Sequence, residues 1–241
     1  MCMFHNKTEV DEAYKMCYYI PGGDFVRDFP VFDTENGVGS LILKEIPYRQ
    51  TAYIRIESAS DPDAFLKECM DFCRMVGADY IYGSGHEILE RYPIYTAIWK
   101  LTIPRESLPA VDASLFPVTE QTMDRWQQLY NQKMRNVPCS AYMTRKDMQE
   151  MIQKGGGYFV HANGQLLGIG KISGNCLDAV ASMLPGAGEK IVSAMAGAIM
   201  EDTVTLQVAS ENHKALALYQ RLGFLKTEEL NVWRDLSNKN T

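Results

Sequence analysis

The stretch "TVTLQVASENHKALALYQRLGF", Thr203 to Phe224, constrains the fold of this chain more than any other. "TVTLQVA" alternates polar and apolar residues, the period of a strand with one buried face. "HKALALYQRLG" then reads as a helix, entered through Asn212 and closed at Gly223, where glycine takes the left-handed conformation that ends many helices. A strand that runs straight into a helix calls for sheet and helix layers packed on one another, so the chain is expected to be α/β.

The same grammar holds on either side of this stretch. "LFPVT" reads as a short strand, and "EQTMDRWQQLYNQKM" as a helix with Thr119 or Thr122 as its cap. "TRKDMQEMIQKG" is a second helix, with Thr144 at its start and Gly155 past its end. "GYFVHANGQLLGIGKISG" is a hairpin that turns at Asn163-Gly164. "LDAVASML" is the next strand. "GEKIVSAMAGAIM" follows as a helix with Ile191, Ala194, Met195, Ala198 and Ile199 on one face. "FLKTEELNVWRDL" is a final strand region, and "SNKNT" a disordered tail.

The first half is expected to hold strands at "SLILKEI" and "TAYIRIES", a helix from Asp63 to Val76, and strands at "DYIYGSG" and "IYTAIWKLTI". The joint is placed in "IPRESLPAVDASLFP", which carries three prolines and no helical period. This divides the chain into lobes 1–111 and 112–241. A faint internal repeat links them: "TAYIRIES", helix, "DYIYGSG" and "AIWKL" echo "LDAVASML", helix, "TVTLQVA" and "NVWRDL".

A chain of 241 residues can hold two such lobes. Apolar residues make up 46% and charged residues 22%, ordinary for a globular protein. The net charge of -6 argues against a nucleic-acid or anionic-membrane surface. No run approaches the roughly 20 apolar residues that span a bilayer. The N-terminus "MCMFHNKTEVDEAYK" lacks a secretion pattern, so a cytoplasmic location is expected. None of the six cysteines forms a Cys-x-x-Cys pair, and Cys69 and Cys73 fit the buried face of a helix. No metal site is expected; His86 is the only nearby further ligand for those two thiols.

The order strand, helix, helix, hairpin, strand, helix, strand, helix, strand resembles the GNAT superfamily of acyl-CoA-dependent N-acetyltransferases. The resemblance covers about residues 113 to 238 and rests on "LQVASENHKALALYQRLGF", where Asn212, Ala215, Tyr219, Gly223 and Phe224 match the family's Asn-x-x-Ala-x-x-x-Tyr followed by Gly-Phe. It implies a mixed central sheet flanked by helices; the faint repeat makes residues 1–111 a smaller α/β N-terminal lobe of partly similar topology, a degenerate GNAT-like copy. It also implies two parallel strands that splay apart, with acetyl-CoA as cosubstrate in the gap. The pantetheine would pair with "LDAVASML" near Val180 and Ala181, as an added strand does. Asn212 would cap its helix and meet the CoA arm, with Ala215 beside it. Tyr219 would donate a proton to the departing thiolate.

The family's pyrophosphate loop, Arg/Gln-x-x-Gly-x-Gly/Ala, is altered here to "PGAGEK". Gly186, Ala187 and Gly188 still allow close backbone approach at a helix N-terminus, and Lys190 supplies a positive charge. Pro185 replaces the Arg or Gln, and Glu189 brings an opposing charge. Asp178, Glu120 and Glu150 are candidate general bases. The expected reaction is direct attack of a primary amine on the acetyl carbonyl, with no covalent enzyme intermediate. The acceptor is expected to be a small molecule or an amino-acid-like amine rather than a protein tail, bordered by "NVPCSAYMTRKDM" and the N-terminal lobe, and the protein a monomer or homodimer. Two alternatives stay open: a non-catalytic acyl-CoA sensor on the same fold, and a GNAT-like ligase using aminoacyl-tRNA, against which the acidic charge weighs.

Overall fold

The computed structural model describes residues 31–237. The expectations for the N-terminal stretch with Cys2 and Cys17, and for the tail beyond Ser237, lie outside those residues. Two compact units are present: one runs up to Ala97 and takes in the chain again from Asn231, and the other is Ile98–Leu230.

The first unit opens with β1 (Val31–Thr34) and β2 (Gly37–Ile42), an antiparallel hairpin turned at Glu35-Asn36. A single helical turn, α1 (Ile46–Arg49), leads into β3 (Thr51–Ala59). Then come α2 (Pro62–Met75), β4 (Tyr80–Ser84), a 3-10 turn at Glu87–Arg91 and β5 (Ile94–Pro104). The sequence reading missed β1 and α1, both too short for a periodic signal. β3, α2 and β4 form a parallel strand–helix–strand unit. Its ladder is continuous through five pairs, from Thr51–Tyr80 to Arg55–Ser84. Phe65, Leu66, Cys69 and Cys73, spaced at three and four residues, bury one face of α2 against Ile54, Ile56 and Ile81. Full burial of an apolar side chain of this size contributes about 1.5–3 kcal/mol. Burial also pushes both thiols well above the ordinary cysteine range, so they are packing groups.

In the second unit the chain continues through β6 (Ser114–Pro117), α3 (Met123–Met134), α4 (Arg145–Lys154), β7 (Gly157–Ala162) and β8 (Gln165–Ser173). These are followed by β9 (Cys176–Ser182), α5 (Gly188–Ala196), β10 (Thr203–Ala209), α6 (His213–Leu222) and β11 (Leu225–Asp235). Local chemistry explains the boundaries. Thr144 and Asp147 form a reciprocal capping box at the start of α4, and Gly155 ends that helix at φ 72°. Asn163 and Gly164 both take positive φ, the pair of left-handed residues that a tight hairpin turn needs. Thr122 stands at the N-cap of α3 but makes no cap bond; its hydroxyl instead accepts from the Thr119 N–H at 3.0 Å.

The sheet of the first unit runs β1-β2-β3-β4-β11, and that of the second β11-β5-β10-β9-β8-β7-β6. The last strands of the repeat are therefore exchanged. β4 pairs with the end of β11, Gly83 opposite Arg234. β10 pairs with β5 over seven residues, from Thr203–Pro104 to Ala209–Ile98. The boundary expected at 111/112 falls inside the second unit, because the end of β5 belongs to its sheet.

In that second unit α5 lies on one face of the sheet. Ile191, Val192, Met195 and Ile199 pack with Leu177, Val204, Leu206 and Tyr219. Ala198, expected on this face, is exposed: α5 ends at Ala196 and the chain leaves the helix at Gly197. Gly168 and Gly170 of β8 let α5 approach, since a Cβ at either would meet Ile191 or Met195 at 2.5 Å or less. The other face is covered by α3 and α4, with Trp126, Met148 and Met151 against Ile169, Ala179 and Ala181.

Candidate active site

β9 and β10 are parallel neighbours, yet their ladder contains only Cys176–Thr205 and Leu177–Leu206. β9 continues to Ser182 and β10 to Ala209, so the strands part after two pairs. The next residue of β9 carries an irregularity on the opposite edge. On its other edge β9 pairs with β8, where Lys171 faces Ala179 and Ile172 faces Leu177. Asp178 is thus the extra residue of a β-bulge, which bends a strand and locally increases its twist. The bulge also flips the side-chain alternation: Leu177 faces α5, whereas Ala179 and Ala181 both face α3 and α4. Past it, Val180 and Ala181 keep their partners Gly170 and Ile169 on β8, while their β10-side backbone groups open onto a gap. Val180 is half-buried and Ala181 buried.

The gap leads toward the N-terminus of α5. Gly186 is exposed with φ 76°, a left-handed conformation suited to glycine, and nothing lies within 4 Å of where its Cβ would be. Ala187 occupies the N-cap and offers no side-chain cap. The first i→i−4 bond runs from the Ile191 N–H to the Ala187 carbonyl at 3.1 Å, so the amides of Gly188, Glu189 and Lys190 precede it. Helices α2, α4 and α6 are each capped by a side chain, from Asp61, Thr144 and Asn212. A Cβ at Gly188 would meet Leu218 Cδ2 of α6 at 2.8 Å, so close packing of the two helices requires this glycine in its own right. Glu189 and Lys190 are both exposed.

Asn212 caps α6: its Oδ1 accepts from the Ala215 N–H at 3.3 Å. Ala215 is half-buried against the α5 side of the core. Tyr219 is buried, with its ring edge-on to Phe224 at 5.6 Å between centroids. Burial, with Cys176 nearby as a smaller cause, pushes its phenol up to about 12. Cys176, itself raised to about 11 chiefly by burial, belongs to the last paired residues before the gap. Tyr219 shares the core cluster of Leu177, the last β9 residue paired with β10.

That point carries a polar cluster. The Lys171 ammonium contacts Asp178 Oδ2 at 2.9 Å, with the two side chains only 14% and 13% exposed. Ser173 Oγ donates to the same oxygen. Lys171 follows Ile169 at strand spacing and so shares the face covered by α3 and α4. The sequence reading named Asp178 and missed Lys171 and Ser173; the signal was a lysine inside the apolar run "LLGIGKIS". The other two candidate bases are surface groups. Glu120 is exposed, and Glu150 sits beside Lys146 on the outer side of α4 at 3.9 Å. Between α3 and α4 the connecting segment is pinned by Asn131, whose amide donates to the Met143 carbonyl and accepts from its N–H. A separate groove of about 500 Å³ lies between Arg105–Ala113 and the far end of α5, lined by Ser193 and Gly197. It shares no lining residue with the gap. Among the described residues no group of three His, Cys, Asp or Glu is placed to hold a metal ion.

The order of helices and strands and the mixed sheet match folds seen in solved structures. This chain has the GNAT fold. It aligns with a GCN5-related N-acetyltransferase from Sphaerobacter thermophilus at 11% identity, over 82% of this chain and 76% of that one, with a TM-score of 0.53. A GCN5-related N-acetyltransferase from Anabaena variabilis aligns at 13% identity, over 78% and 55%, with a TM-score of 0.53. A conserved protein of unknown function from Staphylococcus epidermidis aligns at 13% identity, over 86% and 93%, with a TM-score of 0.58. No protein-family model and no curated protein sequence matches the chain. The GNAT likeness is one of fold, and the expected mixed sheet flanked by helices is present. No helix among the described residues is long and apolar enough to cross a membrane.

Proposed function

We propose that the second unit is an N-acetyltransferase that moves an acetyl group from acetyl-CoA to the primary amine of a small acceptor. The observation that carries this reading is the parting of β9 and β10 after Leu177–Leu206, with the gap directed toward the uncapped start of α5. In this reading the pantetheine amides pair with β9 at Val180 and Ala181, because strand edges bind extended chains through backbone hydrogen bonds. The pyrophosphate lies at Gly186, Ala187 and Gly188, where helix N–H groups and the helix dipole favour an anion, and Lys190 adds its charge. Asn212 Oδ1 is committed to the helix cap, and its NH₂ is the group directed to the CoA arm, with Ala215 beside it.

The thioester then lies at the closed end of the gap. A β9 N–H stabilises the oxyanion as the amine attacks. The C–N bond forms, the C–S bond breaks, and Tyr219 donates a hydrogen bond and then a proton to the leaving thiolate. Its raised pKa keeps it protonated until that moment. The five-pair ladder of β3 and β4 supplies no such gap in the first unit, and the Asp61 carboxylate already occupies the N-terminus of α2. In this reading the described residues of that unit offer no second cofactor site of this kind. A thermal-shift screen tests the reading. Acetyl-CoA is expected to raise the melting temperature more than CoA alone, and indifference to acetyl-CoA, CoA and longer acyl-CoAs would overturn it.

A further inference from the structure

The Lys171–Asp178 pair has no part in binding CoA in the scheme above, yet it stands where the gap closes. We propose that this pair reads the acceptor, and that the acceptor is a small zwitterion bearing both an amine and a carboxylate. The inference rests on the acetyltransferase reading of the same site.

Three observations carry it. Asp178 is the bulge residue at which β9 leaves β10, so its side chain is attached at the closed end of the gap. Lys171, Ser173 and Asp178 meet on the face covered by α3 and α4, opposite α5 and its glycine turn. Finally, the two charges are 2.9 Å apart and nearly enclosed. A charge removed from water must keep a counter-charge. A plain amine that drew Asp178 away would take from the Lys171 ammonium the Asp178 counter-charge at 2.9 Å. An acceptor with only a carboxylate would do the same to Asp178. A zwitterion exchanges one internal pair for two external ones, the acceptor ammonium on Asp178 and its carboxylate on Lys171, and no charge is stranded.

The proton balance closes. The bound ammonium gives one proton to Asp178, which Ser173 still holds in place. The freed amine nitrogen attacks the thioester carbon, loses a second proton as the amide forms, and the thiolate takes one from Tyr219. One proton returns to Tyr219, and a net one leaves to solvent.

The test uses the full chain and three measurements. Calorimetry with acetyl-CoA comes first. CoA release is then followed with the twenty standard amino acids, their carboxamides and their decarboxylated amines. Amino acids are expected to exceed their matching carboxamides in kcat/KM by about tenfold or more, the scale of one charge-assisted contact. In Lys171→Met that ratio collapses toward one, and in Lys171→Arg it is kept. Unchanged acetyl-CoA affinity in Lys171→Met shows that the variant is folded. Equal use of carboxamides by the wild type, or a ratio that survives Lys171→Met, overturns the inference. So does a wild type that binds acetyl-CoA and acetylates none of the amino acids, which leaves the cofactor reading standing. Absence of acetyl-CoA binding removes both.

Discussion

Tyr219 keeps its proton because it is buried, and that fixes what it can do. A phenol raised to about 12 is fully protonated at neutral pH. As an acid it must be protonated to act, so raising its pKa extends activity toward alkaline pH. Tyr219→Phe is expected to lower kcat by roughly 100-fold while leaving acetyl-CoA affinity nearly intact, as for an interaction made mainly in the transition state. The wild-type alkaline limb assigned to this group should begin well above the ordinary tyrosine value. Equal turnover in the two proteins, once an acceptor is in hand, would contradict the assignment. At this scale the sequence was most informative where a residue has one local job. Asn212 and Thr144 cap the backbone a few residues on, Gly223 and the Asn163-Gly164 turn act through their own backbone, and each was legible. Lys171 and Ser173 were not, because they meet Asp178 at a bulge seven and five residues away that spacing alone does not reveal.

Among the elements, α5 is given two tasks at one end by the proposed reading. Its uncapped first turn faces the gap, and Gly188 also lies under Leu218 of α6. Gly188→Val is therefore expected to weaken acetyl-CoA binding by about tenfold or more. Part of that loss could arise from moving α6, since a Cβ there meets the tip of Leu218 at 2.8 Å. The double variant Gly188→Val with Leu218→Ala separates the causes. Relief of crowding should raise the melting temperature of the single variant without restoring affinity, as titration would read. Full recovery of affinity would make Gly188 a packing residue only. Most long strands and helices followed from periodicity, but the two-residue ladder between β9 and β10 did not. The sequence of "LDAVASML" reads as an ordinary strand, and its parting from β10 depends on how β8 pairs with it.

For the whole molecule, the repeat visible in the sequence is a repeat of strand–helix–strand units whose outcomes differ. β3 and β4 stay paired through five residues, and the helix between them is capped by Asp61. β9 and β10 part after two, and the helix between them has no side-chain cap. The exchange of final strands was hidden, since "AIWKL" and "NVWRDL" are equally good strands for either sheet. A chain cut at residue 112 would lack the seven residues of β5 that pair with β10, so the intact protein is the proper subject for any binding measurement. Titration calorimetry of the full chain with acetyl-CoA therefore tests the central claim most directly. The account predicts saturation at one acetyl-CoA per chain; saturation at two, or no heat of binding at all, would contradict it.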